Sequence, residues 1–396
     1  MPGVHALLSP SASHRWLECP PSARLHAKFV DRLGDQGSEF AQEGTKAHSL
    51  SELKLRLANG EINQFLFDAE KKLLGEIPRD METFTDVYVD TVLEKLYAAR
   101  KSCPDARLFV EQKLDMSEWV PGCFGTSDAV IVTDSTLEVL DLKYGKGVPV
   151  SAVGNPQARL YALGAVNQFG DIYSFYSVRE TIIQPRLDSI TEETMSKSDL
   201  LAWGETIKPR AQMAYEGKGE FHCGEWCRFC AAKAVCKTRA MQAMSVFENA
   251  FDSPDVIPEE NIAGILQVAD LTEAWLKDIR AYAMAQALKG AIFPGFKLVR
   301  GRAPARKWRN EEEVIDQMAR AGYSQEQYME QPKLMSVSVL EKSIGRTAFK
   351  ALLAGQTVQG EAPLTLVPES DKREEYSSAD VAFADLADNS QSNINS

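Results

Sequence analysis

Two aspartates and a lysine fall inside one apolar stretch. In GTSDAVIVTDSTLEVLDLKYGKG, residues 125–147, the first run carries Asp128 and the second carries Asp141 and Lys143. A carboxylate on an otherwise buried strand is costly unless something pairs with it. Alternate residues of a strand share a face, so Asp141 and Lys143 point the same way. If the two runs are neighbouring strands, Asp128 comes close to Asp141. Two carboxylates that close repel, and either one takes up a proton or both bind a cation. Hard oxygen ligands suit Mg2+ or Mn2+. Such an ion lowers the pKa of water and stabilises charge on a phosphoryl oxygen, and a lysine beside it can orient the attacking water. The set is a compact apparatus for hydrolysing phosphodiesters. An Asp-x-Lys on a solvated strand would be no more than an ion pair, but VLDLK sets Asp141 among apolar neighbours.

Two further pairs flank this hairpin. His48 and Glu52 stand four apart in GTKAHSLSE, and Gln157 and Tyr161 stand four apart in QARLYALGA. Each pair shares one helix face, and each alone is an ordinary helix-surface pair. Taken in order, GTKAH, GTSDAV, LDLK and QARLY resemble the motif set of the RecB-like nucleases of the PD-(D/E)XK superfamily. The resemblance covers residues 44–161. It implies that His48, four residues after Gly44, and Asp128 are metal ligands. Asp141 is then a metal carboxylate, the backbone carbonyl of Leu142 adds a contact, and Lys143 serves the hydrolytic water. Gln157 and Tyr161 position DNA or the lysine, and Glu52 is an outer partner. The implied fold is a restriction-endonuclease-like α/β core, a central mixed sheet flanked by helices, with helical additions at the N-terminal side and mostly helical ones at the C-terminal side.

Four of the seven cysteines crowd into CGEWCRFCAAKAVC: Cys223, Cys227, Cys230 and Cys236. Disulfides are not expected in a reducing cytosol, whereas thiolate ligation needs such density. Four thiolates serve zinc or an iron–sulfur cluster equally, but only Cys227 to Cys230 forms a C-x-x-C knuckle. The spacing from Cys227 through Cys230 to Cys236 resembles the last three ligands of the iron-staple nucleases. In those proteins the fourth ligand lies far upstream, before a proline, and Cys19 in WLECPP matches that place. The implied cofactor is a [4Fe-4S] cluster on Cys19, Cys227, Cys230 and Cys236, with Zn2+ as the alternative and a local set using Cys223 as another. Cys103 and Cys123 read as free thiols.

The elements that must position these groups are legible in outline. The segment to about residue 100 reads as mostly helical, with helices in EGTKAHSLSELKLRLANG and METFTDVYVDTVLEKLYAARK. RLFVEQKLDM, TSDAVIVT and TLEVLDLK read as strands, Asp134-Ser135 turning the last two into a hairpin. NPQARLYALGAVNQFG reads as a helix, and IYSFYSVRE and TIIQPRL as two further strands. A long helical segment, residues 258–290, is expected to break near Leu271. The sequence thus divides into a core to residue 245, a helical-to-mixed domain over 246–365 and an acidic tail over 366–396.

Apolar residues make up 44% and charged residues 25% of 396, an ordinary globular mix. No run approaches the roughly 20 apolar residues of a membrane span, and the first residues lack the pattern of a secretory signal. A cytoplasmic protein without a membrane partner is expected. The net charge of −12 is uneven: residues 361–396 hold eight acids and two bases, while FKLVRGRAPARKWRN, 296–310, holds six bases and no acid. Lys297, Arg300, Arg302, Arg306, Lys307 and Arg309 could meet phosphates there, with Trp308 stacking on a base. The opening HALLSPSASHRWLECPPSARL also resembles a phage and prophage family of such nucleases. The expected protein is a metal-dependent DNA exonuclease serving phage recombination or replication proteins. Its rival is a DNA-end-binding scaffold of the same fold that no longer cuts.

Overall fold

The computed structural model describes residues 6–33, 39–248 and 259–297, and residue 320. Five helices come first: α1 (Ser13–Glu18), α2 (Ser22–Leu33), α3 (Glu39–Ala58), α4 (Gln64–Leu73) and α5 (Arg79–Ser102). Strands β1 (Arg107–Asp115), β2 (Phe124–Val132) and β3 (Thr136–Leu142) follow, then α6 (Pro156–Phe169), β4 (Ser177–Gln184) and β5 (Ser189–Ser196). Helices α7 (Lys197–Glu216), α8 (Lys237–Glu248) and α9 (Glu259–Leu288) complete the described α-helices, beside short 3-10 turns at Pro10–Ala12, Pro185–Leu187 and Glu225–Phe229.

The strands form one mixed sheet in the order β1-β2-β3-β4-β5. All neighbours are antiparallel except β3 and β4, which run parallel. A parallel pair cannot be joined by a tight turn, and α6 supplies the crossover. The β2–β3 turn is the hairpin expected at Asp134-Ser135. Thr133 and Thr136 close it, with the Thr136 amide donating to Thr133 Oγ1 at 2.8 Å.

Side-chain alternation sorts the core into two layers. Val130, Val132, Leu137, Val139 and Val178 pack under α6 and α7 with Leu160, Leu163, Val166 and Ile207. Ala129, Ile131, Leu140, Leu142 and Ile183 face Tyr88, Val89, Val92 and Leu96 of α5 on the other side. The chain is thus an α/β protein with helices on both faces of a five-stranded mixed sheet. β3, central and covered twice, is buried almost throughout, as parallel pairing requires.

Two expectations about elements need correction, and two elements were not expected at all. The two strands expected over 172–187 are one, β4, because nothing in VRETII turns the chain; Pro185 ends it. The strand β5 and helix α7 were not anticipated. Helix α9 runs unbroken through Leu271, with no Gly or Pro there to interrupt it. The chain divides into two compact units, Met1–Phe293 and Pro294–Ser396, with α9 in the first. The basic stretch beyond Lys297, the helix expected over 310–322 apart from residue 320, and the acidic tail lie outside the described residues. Among the described residues no helix is long and apolar enough to cross a membrane.

Candidate active site

The site forms where β2 leaves its neighbours. The β2–β3 ladder runs from Val132–Leu137 to Ala129–Leu140 and stops. One step on, Asp128 and Asp141 would face each other, but β3 continues with β4 alone, pairing Asp141 with Ile182 and Leu142 with Ile183. The Leu142 amide, freed from a strand partner on the β2 side, donates instead to Asp128 Oδ2 at 2.6 Å. The β1–β2 ladder also lapses here: it pairs Val110 with Ala129 and Gln112 with Ser127 but skips Glu111 and Asp128. Glu111 has a φ of 48°, in the left-handed region that strains a side chain with a Cβ. Asp128 therefore sits in a gap on both sides of its strand.

Side chains from three further elements fill that gap. His48 on α3 meets Asp128 Oδ1 through Nδ1 at 3.0 Å. Lys143, just past β3, lies 2.7 Å from Asp141 Oδ2 as an ion pair, at an angle outside hydrogen-bond geometry, so that Oδ2 is buried without a hydrogen bond. Gln157 on α6 joins the two: its Nε2 donates to Asp141 Oδ1 at 3.2 Å and its Oε1 accepts from Lys143 Nζ at 2.9 Å. Asn155 caps α6 by accepting from the Gln157 and Ala158 amides, which fixes where Gln157 starts the helix. The preceding connection is fastened by Gln184, whose Nε2 donates to the Gly145 and Val148 carbonyls. Tyr161, one turn after Gln157, is buried beside it, and the charges of Asp141 and Asp128 bear on its phenol. A Cβ on Gly125 would come within 3.0 Å of the Tyr161 ring and 3.2 Å of Pro10, so a glycine three residues before Asp128 is a packing requirement of this tyrosine.

The sequence-predicted residues His48, Asp128, Asp141, Lys143, Gln157 and Tyr161 are thus brought together, with Leu142 between the carboxylates. The electrostatics push the two aspartates apart. Burial opposes ionisation of Asp128, but the His48 charge, its hydrogen bond and the Leu142 amide outweigh it and hold the carboxyl below the ordinary range. Burial raises Asp141, Lys143 opposes and the Asp128 charge adds to the rise. His48 is depressed by burial, yet Asp128 and Asp141 more than compensate and carry it up to about 9. The charges are neutralised in pairs, imidazolium on Asp128 and ammonium on Asp141.

Glu111 is the residue that sequence reasoning missed. Burial, then the charges of Asp128 and Glu52, push its carboxyl up to about 8. Its only signal was a charged residue in the middle of RLFVEQKLDM. Glu52 itself pairs with Arg56, 3.2 Å away on the next turn, and acts on Glu111 rather than on the aspartates.

The cysteines gather as well. Cys19 closes α1 and is buried, which raises its thiol against the opposing pull of the His222 and Ser22 amides. The Cys223 thiol hydrogen-bonds Cys227, which that contact pulls down to about 6 against burial, with help from the Gly224 amide and Arg239. Burial raises Cys230, opposed by the Ala232 amide and Arg15, and the charges of Cys227 and Cys236 reach it. Amide donors on thiol sulfurs are what a thiolate ligand set requires. Cys103 and Cys123 stand apart, and burial carries Cys123 up to about 12. As they stand, no group of three or more His, Cys, Asp or Glu side chains among the described residues is disposed to hold a metal ion. At the cysteines the donor chemistry fits, four thiols with Arg15 and Arg239 close enough to favour thiolates at Cys230 and Cys227. At the aspartates the hard oxygen donors suit a divalent cation, with the buried Asp141 Oδ2 held by the Lys143 ammonium alone.

Residues 5–374 match the sequence profile of the DUF2800 family, described as "Protein of unknown function". Among solved structures, one titled "Crystal structure of SSO0001" is similar over 48% of this chain and 84% of that one, at 16% identity and a TM-score of 0.24. That superposition is too loose to bear on this chain.

Proposed function

The chain belongs to the DUF2800 family, whose description carries no activity, and we propose from the site alone that the protein is a metal-dependent DNA nuclease with a PD-(D/E)XK core. The observation that carries the reading is the lapse of both β2 ladders at Asp128. It gathers two buried aspartates, a lysine, a histidine and a glutamine on one spot, where Asp141 Oδ2 is met only by the Lys143 ammonium. His48, Asp128, Asp141 and the Leu142 carbonyl would hold one or two Mg2+ or Mn2+ ions. Such an ion supplies Lewis-acid stabilisation of charge on a phosphoryl oxygen and lowers the pKa of water.

The chain's own residues do the rest. Gln157 holds Lys143 against Asp141, so the ammonium is aimed by two contacts before any substrate arrives. Lys143 then faces the reacting phosphate, where its charge favours the developing negative charge. Asp141, whose pKa is raised, is the better placed of the two aspartates to take a proton from water. Tyr161 backs Gln157 and Gly125 makes room for it. A cluster or Zn2+ on Cys19, Cys227, Cys230 and Cys236 would pin α1 to the segment after α7, a structural role. The exonuclease mode and service in phage recombination or replication belong to the same proposal.

A catalytically silent DNA-end-binding scaffold is the second reading, favoured by the pairwise neutralisation of Asp128 by His48 and of Asp141 by Lys143. Digestion of end-labelled linear and closed circular DNA, with Mn2+ or with EDTA, separates the two. Mn2+-dependent loss of the linear substrate alone, abolished by Asp141→Ala, supports the exonuclease. DNA binding with no cleavage by the anaerobically purified wild type supports the scaffold.

A further inference from the structure

Helix α9 turns one face to the molecule and leaves the other open. On the inner face Trp275 Nε1 donates to the Ala234 carbonyl at 3.2 Å, and Asp278 pairs with Arg239 at 2.6 Å and with Lys233 at 3.2 Å. On the outer face Ile262, Leu266, Met284 and Leu288 are 42%, 47%, 55% and 72% exposed. Between them stand Asp270, Glu273, Lys277 and Arg280, all exposed. At about 3.6 residues per turn, these eight positions fall within an arc of about 80° on the side away from Trp275. Among the described residues, none of the four charged side chains has an ion-pair or hydrogen-bond partner.

The order along this stripe is apolar, apolar, acid, acid, base, base, apolar, apolar, and its positions are symmetric about residue 275. Read backwards, it is the same pattern with every charge inverted. The helix macrodipole does not account for that order, because it acts within the first and last turns and these charges lie in the middle of a 30-residue helix. Single exposed apolar side chains are ordinary. Two at each end of one stripe, with balanced charges between them, make a surface complementary to itself.

We propose that this face of α9 binds the same face of a second copy of the chain, antiparallel, about a two-fold axis beside residue 275. A two-fold interface uses one patch on both copies, so that each contact occurs twice. Here it brings Asp270 level with the partner's Arg280 and Glu273 level with the partner's Lys277. Leu266 meets the partner's Met284, and Ile262 the partner's Leu288. A parallel pair would set acid against acid and base against base, which charge complementarity disfavours. The interface uses no residue of the candidate active site and does not depend on the nuclease reading.

The test is sedimentation equilibrium of the full 396-residue chain over a micromolar dilution series, with circular dichroism to check helix content. Wild type sediments with the mass of two 43.8 kDa chains. Asp270→Lys with Glu273→Lys makes the centre of the stripe wholly basic, and Lys277→Glu with Arg280→Glu makes it wholly acidic. Either double variant turns four attractive contacts repulsive, weakens association by about 100-fold or more and sediments as a folded monomer. The chain carrying all four substitutions has the charge order reversed but again self-complementary, and it regains the dimer. A monomeric wild type overturns the inference, and so does a dimer that persists in both double variants. An equimolar mixture of the two double variants associates through the same face; association in that mixture but not in the fourfold variant overturns the antiparallel pairing.

Discussion

Glu180, at the middle of β4, should be a liability that glutamine removes. It is fully buried and neither carboxylate oxygen has a hydrogen-bond partner. Burial and the charge of Glu193, against some relief from Arg159, push it up to about 8. Arg159 gives little because its guanidinium is already forked onto Glu193, with contacts of 3.0 and 3.1 Å from one nitrogen. The sign follows from proton binding. The folded-state pKa is raised, so between the unfolded value near 4.5 and about 8 the folded chain holds a proton the unfolded chain has released, and stability falls as pH rises through that window. At 1.36 kcal/mol per unit, the cost relative to a group that never ionises is about 3 kcal/mol at pH 7 and about 1 kcal/mol at pH 5. Glu180→Gln keeps the shape and the neutral state. Urea unfolding followed by far-ultraviolet circular dichroism should therefore show the variant more stable by about 3 kcal/mol at pH 7, shrinking to about 1 kcal/mol at pH 5. A stability difference that does not change between the two pH values would refute the reasoning, because it would mean that Glu180 titrates alike in both states.

Three other outcomes follow from the site. Gly125→Ala must displace the Tyr161 ring or Pro10, costing about 1–3 kcal/mol by overpacking, and should lower DNA cleavage by shifting Gln157; an unchanged Tm would count against that packing. The raised His48 pKa contributes stability that is fully present below about pH 6.5 and is lost as pH rises through about 9; with a third of the side chain exposed, the screened share is about 1 kcal/mol. The stability advantage of wild type over His48→Gln in EDTA should therefore shrink by that amount between pH 6 and pH 10. Cys19→Ala should reduce the iron or zinc content of anaerobically purified protein, with any visible absorption falling in step, whereas metal content equal to wild type would return the fourth ligand to Cys223.

The sequence made the α/β core and its hairpin readable because β1, β2 and β3 are short runs rich in apolar and β-branched residues and because Asp134-Ser135 turned the chain in the shortest way. Asp128 and Asp141 stood out because carboxylates within apolar runs are rare, whereas His48, Leu142, Gln157 and Tyr161 were reached only through the motif resemblance. β5 escaped because SITEETMS buries none of its residues fully, so it lacks the apolar face that marks a strand. The helix α7 escaped because Pro209 and a weak apolar stripe hid its length. Glu111 escaped for a different cause: its place follows from a lapse of ladder pairing, which no local residue pattern encodes.

The N-terminal helices hold partners that the ribosome makes much later. Arg24 donates to the Tyr215 carbonyl, Arg210 reaches back to the Leu17 and Glu18 carbonyls, and the Ala231 amide donates to His26, contacts separated by 191 to 205 residues. At about 5–20 residues per second, the first helices wait roughly 10–40 s for these partners during synthesis. Their docking has a high contact order and comes late in folding. Contacts made after the rate-limiting step govern how fast a protein comes apart rather than how fast it forms. The strap from α1 and α2 to the segment after α7 is therefore the place to set the lifetime of the folded core, independently of its speed of assembly.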